Sequence, residues 1–204
     1  MPTTTSGQNA LLTSGKGGFS HVGALTGLIS TETSGGSYAR QALTTGAAAS
    51  GQASNSGSLS VPIAAGQTIV ALSLHDAISA GNLLAYLPYG SSGQVLQGVG
   101  TVDVAASDTF KSAAHGLATD DRVFFSAVNN ESLPAGLSAS TLYFVRSAGL
   151  TADVFTVATT SGGAAVDITG LGEAAWFKTV PNTFASAGNL SIATSALVLD
   201  ARFV

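Results

Sequence analysis

Cysteine is absent from the 204 residues, so neither a disulfide nor a thiolate metal site can brace the fold. Charge is almost as scarce: Asp, Glu, Lys and Arg make up 9 %, against roughly 25 % in an ordinary soluble domain. The basic residues stand singly at Lys16, Arg40, Lys111, Arg122, Arg146, Lys178 and Arg202, with no stripe to follow a phosphate backbone. Nucleic acid is therefore not an expected partner. Long apolar runs are missing too, none approaching the ~20 residues that span a bilayer, and no membrane association is expected. The first residues, MPTTTSGQNALLTSGKGG, lack a basic start followed by an apolar core, so no signal peptide is expected. The expectation is a protein made and used in a cytoplasm, or delivered outside by cell lysis.

What remains is rich in small and β-branched residues. Hydrophobic residues reach 45 %, weighted to Ala and Val, and there are 25 glycines but a single Trp and a single Met. Disorder driven by low hydrophobicity and high charge needs the opposite balance. This mixture suits thin, closely packed sheets joined by tight turns. The expected fold is all-β: a β-sandwich or jelly-roll-like domain carrying a second, small β-barrel or sandwich module.

Hydrophobic alternation places the strands. Segment 21–28 alternates larger apolar with small residues, and 38–45 follows the Gly35–Gly36 turn. Leu59, Val61 and Ile63 share one face, with Pro62 pointing to an edge. Val70, Leu72 and Leu74 alternate with Ala71, Ser73 and His75 as a half-buried strand. Residues 76–82 read as a turn, and 83–87 as a short buried strand stopped by Pro88. A second block is expected to hold strands at 102–104, 122–128, 141–147, 154–158, 166–168 and 175–178, separated by turns at 120–121, 133–136, 148–149 and 161–163. Two last runs carry Leu190/Ile192 and Leu197/Leu199. No ten-residue helical stripe exists, so any helix should be a turn or two, near 137–140. Residues 1–18 read as a flexible N-terminal arm or as an arm draped over a neighbouring subunit.

Residues that carry chemistry are present without the company that chemistry needs. His75 and Asp76 are adjacent, so on a strand they face opposite sides, and no Gly-x-Ser-x-Gly elbow is present. His115 lies near Asp120 and Asp121, but a metal site needs three or four converging ligands. A histidine capping the turn before strand 122–128, or an Asx-type turn at Asp120 or Asp121, is the structural expectation. The eleven acids are too thinly spread for a glycosidase pair, and GKGG at 15–18 lacks the spacing of a phosphate loop. No catalytic, cofactor-binding or metal-binding residue is assigned, and no enzyme is expected. Arg40 is different: a lone charge in a neutral stretch, it needs a partner inside the domain or on a neighbouring subunit.

Two stretches carry family resemblances. ETSGGSYARQALTTGAAAS and LSVPIAAGQTIVALSLHDAISAGNLLAY, within residues 32–86, resemble a widespread family of small tailed-phage virion proteins labelled minor tail or tail-fibre proteins. In that family a short C-terminal strand ending in aspartate closes the domain, and SIATSALVLD at 191–200 stands where it belongs. Between these parts, HGLATDDRVFF, LPAGLSASTLYFV and ADVFTVATTSGGAAVDITG look like a β-module repeated across phage tail and fibre proteins. Aspartates replace the common Gly near residue 120, and Ser140 stands where Gly is frequent.

The resemblances imply three segments: the arm at 1–18, a virion-binding sandwich domain from 19–100 plus 179–204, and an inserted, projecting module at 101–178. Insertion into a surface loop is tolerated because closure entropy grows slowly with loop length. The expected function is a phage virion structural protein, in the first place a capsid decoration or cement protein stabilising the head. The alternative is a minor tail or tail-fibre component, with the module as a host glycan binder if its aromatics are exposed. Expected partners are the major capsid protein or tail proteins of the same virion, and further copies in a homo-oligomer, a trimer being favoured. Lys16, Phe19, His21, Tyr38 and Arg40 are the residues expected at a partner interface.

Overall fold

The computed structural model describes residues 18–27, 31–88, 97–103, 107–128 and 131–200. The expected arm, Lys16 included, and Tyr89 lie outside them, apart from Gly18. Among the described residues the regular structure is all β, and the chain divides into two compact units. One unit is sandwich-like and the other forms a nearly closed barrel.

The first unit draws on residues up to Leu87 and from Thr183 onward. Its strands are β1 (His21–Leu25), β2 (Gln41–Ala42), β3 (Gln52–Ser54), β4 (Leu59–Ile63), β5 (Gln67–Ile69), β6 (Ala71–His75), β7 (Leu83–Pro88), β15 (Asn182–Phe184), β16 (Gly188–Ile192) and β17 (Val198–Asp200). A four-stranded sheet has the order β2-β1-β6-β7, and the pairs β15-β5, β16-β4 and β17-β3 complete the unit. Leu59, Val61 and Ile63 are buried at period two, and Pro62 sits opposite Asn189 in a two-stranded pair, where a missing N–H is tolerated. β4 packs against β1 and β2, so this apolar row closes over the sheet.

The antiparallel β1–β6 pair has two unlike faces. Val22, Ala24, Leu72 and Leu74 form the apolar one, and all are buried. The other carries Gly23, Ser73, His75 and Ala71, and it too is sealed from solvent at β6. β6 is thus buried on both faces rather than half-buried, because a lid of polar side chains covers its small-residue side. β7 differs in the opposite sense: expected to be buried, it is partly exposed, with Leu84 at 39 %. Segment 38–45 keeps only the two-residue β2, since Tyr38 and Arg40 are turned to side-chain bonding instead of a ladder.

Asn55 fastens the C-terminal strands. It is 1 % exposed, and its Nδ2 donates to the Gly57 and Ala193 carbonyls at 2.7 and 2.8 Å. Its Oδ1 accepts from the Leu197 amide at 2.9 Å. Backbone bonds Asn55 N to Leu197 O and Ser195 N to Asn55 O extend the same seam between β16 and β17.

The second unit takes in residues 88–182, with strands β8 (Gln97–Val102), β9 (Phe110–Lys111), β10 (Arg122–Ala127), β11 (Tyr143–Val145), β12 (Val154–Phe155), β13 (Val157–Ala158) and β14 (Gly172–Thr179). They form one sheet in the order β12-β9-β8-β14-β10-β11-β13. Its two outer members, β12 and β13, are separated by Thr156 alone, so the sheet curls until one segment serves both edges. That is why the single strand expected at 154–158 is split: its first half pairs with β9 and its second with β11. The run 166–168 joins no ladder. Its Val166 amide bonds the Val157 carbonyl, and Ile168 plugs the core. Residues 137–140 form turns with i to i−3 bonds, not a helix.

Phe110, Phe125, Tyr143, Phe155 and Trp176 fill the barrel with Val102, Val123, Val145, Val157 and Ile168. Phe110 meets Phe125 and Phe155 with centroids 5.1 and 5.3 Å apart, in tilted geometries that ring quadrupoles favour. The lone Trp176 is 1 % exposed and donates from Nε1 to Ser112 Oγ at 2.9 Å. This ring explains why β8 begins earlier than its apolar residues indicate. A Cβ on Gly98 would stand 2.9 Å from the indole, and one on Gly100 would run into the Lys111 carbonyl and the Phe110 ring. Both are strand glycines under large aromatics.

Two outcomes follow. Gly100→Ala should overpack the barrel and cost about 2 kcal/mol, read in urea unfolding by Trp176 fluorescence. Asn55→Ala should cost about 2 kcal/mol, by far-UV circular dichroism, because the buried Leu197 amide and the Gly57 and Ala193 carbonyls lose their partner.

Candidate interface site

The sequence concentrates its unusual residues between Glu32 and Arg40, and the backbone there brings them together. Glu32 is held beside β1 by an isolated bridge to Leu25, and Thr33 donates its amide to the Ala24 carbonyl at 2.9 Å. Gly35 and Gly36 adopt φ of +89° and +61°, which side-chain-bearing residues resist, and reverse the chain. The strand-like segment that follows places Tyr38 and Arg40 on the same side, two residues apart, facing back towards Glu32.

Glu32 becomes the centre of the cluster. Arg40 grips it bidentately, Nε to Oε1 at 2.8 Å and Nη2 to Oε2 at 2.7 Å. Tyr38 Oη donates to Oε1 at 2.5 Å and accepts from the Ala24 amide at 3.2 Å. The Arg40 side chain is 10 % exposed, and its Nη1 also donates to the carbonyls of Ala77 and Ala80 at 2.8 and 2.7 Å. One guanidinium therefore ties a carboxylate to the loop between β6 and β7. That loop is closed at its base by Asp76, which accepts from the Asn82 amide at 2.7 Å and from its Nδ2 at 2.8 Å. Ala80 takes φ of +51°, and Ile78 at the tip is 61 % exposed.

The cluster sits over Gly23 for steric reasons. A Cβ there would lie 2.6 Å from Tyr38 Oη, 2.7 Å from Ser73 Oγ and 2.9 Å from Glu32 Oε1. His75 completes it: 3 % exposed, with Nε2 3.9 Å from Glu32 Oε2 and no ring hydrogen bond of standard geometry. Burial works to raise the Glu32 carboxyl, but the bonds from Arg40 and Tyr38 outweigh it and hold the group below its ordinary range. Burial and the hydrogen bond to Glu32 push the Tyr38 phenol up. Burial first, then the neighbouring Arg40 charge, lower His75.

Of the residues expected at an interface, Tyr38 and Arg40 thus meet inside the unit, where Arg40 finds its partner in Glu32. His21 lies opposite His75 across the β1–β6 ladder, its Nδ1 2.8 Å from Ser20 Oγ. Phe19 is partly buried just before β1, apart from the cluster's bonds, and Lys16 lies outside the described residues. Glu32 was not singled out beforehand. The signal available was its position, eight residues before the only nearby cation in a chain poor in charge.

Other acids are engaged in turns. Asp121 accepts from the Ala118 amide and from Lys178 Nζ, both at 2.8 Å, and Asp120 from Ser161 Oγ at 2.7 Å. His115 is a turn cap as expected, its Nδ1 accepting the Leu117 amide at 3.0 Å while its ring stands edge-on to Phe155. Among the described residues no three of His, Asp or Glu converge as metal ligands.

Residues 21–118, just under half of the chain, match the family described as podophage GP4 fiber I protein gp80. The stretch contains every residue of the Glu32 cluster and runs on into β8 and β9 of the barrel. No curated protein and no solved structure matches the chain. The likeness supports a bacteriophage virion structural protein.

Removing Arg40 should expose how much the cluster holds. Arg40→Ala should cost about 2 kcal/mol in chemical denaturation, less than a fully buried pair because the Glu32 side chain is 25 % exposed. In a double-mutant cycle with Glu32→Gln the two losses should fall short of additive.

Proposed function

We propose that the protein is a structural, non-catalytic subunit of a bacteriophage tail fibre, assembling with other tail proteins of the same virion. The observation that carries this reading is the match of residues 21–118 to a podophage fibre protein family. It favours the tail-fibre alternative over the capsid cement that small size and scarce charge brought forward. Assembly as a homo-oligomer belongs to the same proposal.

The chemistry of the acids supports a structural role. Glu32, Asp76, Asp120 and Asp121 spend their oxygens on Arg40, Tyr38, Asn82, Ser161, Ala118 and Lys178, each bond fixing a turn or a strand end. The aromatic residues of the second unit support it too. Phe110, Phe125, Phe155 and Trp176 are spent on the barrel interior, where they cannot stack on a sugar. A glycan-binding role therefore gains nothing from them.

Immunogold labelling of intact virions with antibody to this chain tests the placement. Gold is expected on the tail fibres. Gold distributed over the heads would replace the fibre reading with capsid decoration.

A further inference from the structure

His75 is the one member of the Glu32 cluster that the cluster does not bond. It is buried, both ring nitrogens lack a hydrogen bond of standard geometry, and the nearest carboxylate oxygen, 3.9 Å away, is already taken by Arg40. A neutral imidazole fits there; a charged one adds a second cation beside Arg40 with a single interior anion to share. The groups that face it can be named element by element. Glu32 and Arg40 come from the lid, His21 from β1, and Asp76 with the backbone of Asn82 from the loop that follows. Asp76 is committed to Asn82, so it cannot swing in to neutralise the ring without opening the loop base.

We propose that His75 is an acid-sensitive latch on the loop of residues 76–82. Protonation sets the imidazolium in competition with Arg40 for Glu32. Arg40, pulled from the carboxylate, loses its hold on the Ala77 and Ala80 carbonyls. Those two bonds, with the Asp76–Asn82 closure, are what keep Ala80 at a positive φ and Ile78 presented at the tip. The latch is shut at neutral pH and loosens in mild acid, changing the one exposed loop that the cluster reaches. This goes beyond the fibre assignment and holds in any virion location.

The sign and the window follow from linkage. Burial and the Arg40 charge depress His75 in the closed form. The open form then binds the proton more readily, and closure weakens as pH falls below the ordinary histidine value of about 6.5. Between pH 7 and 5 that favours opening by up to about 25-fold. Glu32, also depressed, works in the same direction. Ordinary glutamate titrates near 4.3, so over this interval it contributes only about 1.2-fold. The two groups therefore separate by pH.

Amide hydrogen exchange of the full chain, read on peptides covering 76–82 and corrected for the intrinsic pH dependence of exchange, measures the opening. Protection of this loop is expected to fall by about an order of magnitude from pH 7 to 5 in wild type and in His21→Gln. In His75→Gln it is expected to stay flat. Equal losses in wild type and His75→Gln would overturn the latch, as would a flat wild-type profile. Imidazole NMR of the unmutated protein provides a second reading that does not depend on a variant folding. His75 is expected to half-titrate below the ordinary histidine value of about 6.5, and a half-titration at or above it would equally overturn the latch.

Discussion

A carboxylate folded against the side of a sheet must be met by donors or it will not stay ionised there, and in the first unit this requirement organises what surrounds it. Glu32 receives three hydrogen bonds, from Arg40 and Tyr38. To deliver them the chain reverses at two glycines and sets Tyr38 and Arg40 on one side. The strands beneath must then leave room, which is why β1 carries Gly23, where a side chain would collide with Tyr38, Ser73 and Glu32. The polar lid does for one face of the β1–β6 pair what Leu59, Val61 and Ile63 do for the other. A sheet with few large side chains is thereby covered on both sides.

The second unit meets the same shortage of bulk by other means. Its core depends on a few aromatic rings set against very small residues, Trp176 over Gly98 and Phe110 over Gly100. Ser112 links the indole to the Val99 carbonyl, so the largest side chain has its polar atom satisfied within the barrel. Charges pair at strand ends, where Asp121 joins Lys178 and Asp103 joins Lys111. A chain without cysteine thus uses two kinds of clasp, an ionic one in the first unit and an aromatic one in the second.

The apolar alternation of β4, β14 and β16 was legible because those strands bury one face more deeply than the other. Elements governed by pairing rather than by alternation were not. β9 and β3 are two and three residues long and owe their form to neighbouring strands. β8 begins five residues before the strand expected at 102–104, because its Gly98 and Gly100 carry no side chain to show alternation and serve to seat Trp176 and Phe110. Val154 to Ala158 is apolar on both sides of Thr156, a residue at home in strands, and nothing in that run announces a change of partner there. In the site, Arg40 stood out as a lone cation in need of a counter-charge. Its role in holding a loop forty residues away depends on carbonyl groups, which every residue has and no sequence pattern marks.

The single segment that forms both outer strands of the barrel has a consequence for how that unit meets neighbouring molecules. A sheet that ends in free strands offers unpaired amides and carbonyls to the next molecule, and crowding turns that offer into aggregation. Here each terminal strand is the continuation of the other, so the ladder largely lacks the open flanks onto which a neighbour could add. In the proposed fibre, contacts between copies at the barrel would then run through side chains and loops, surfaces that can be made selective, rather than through backbone that cannot.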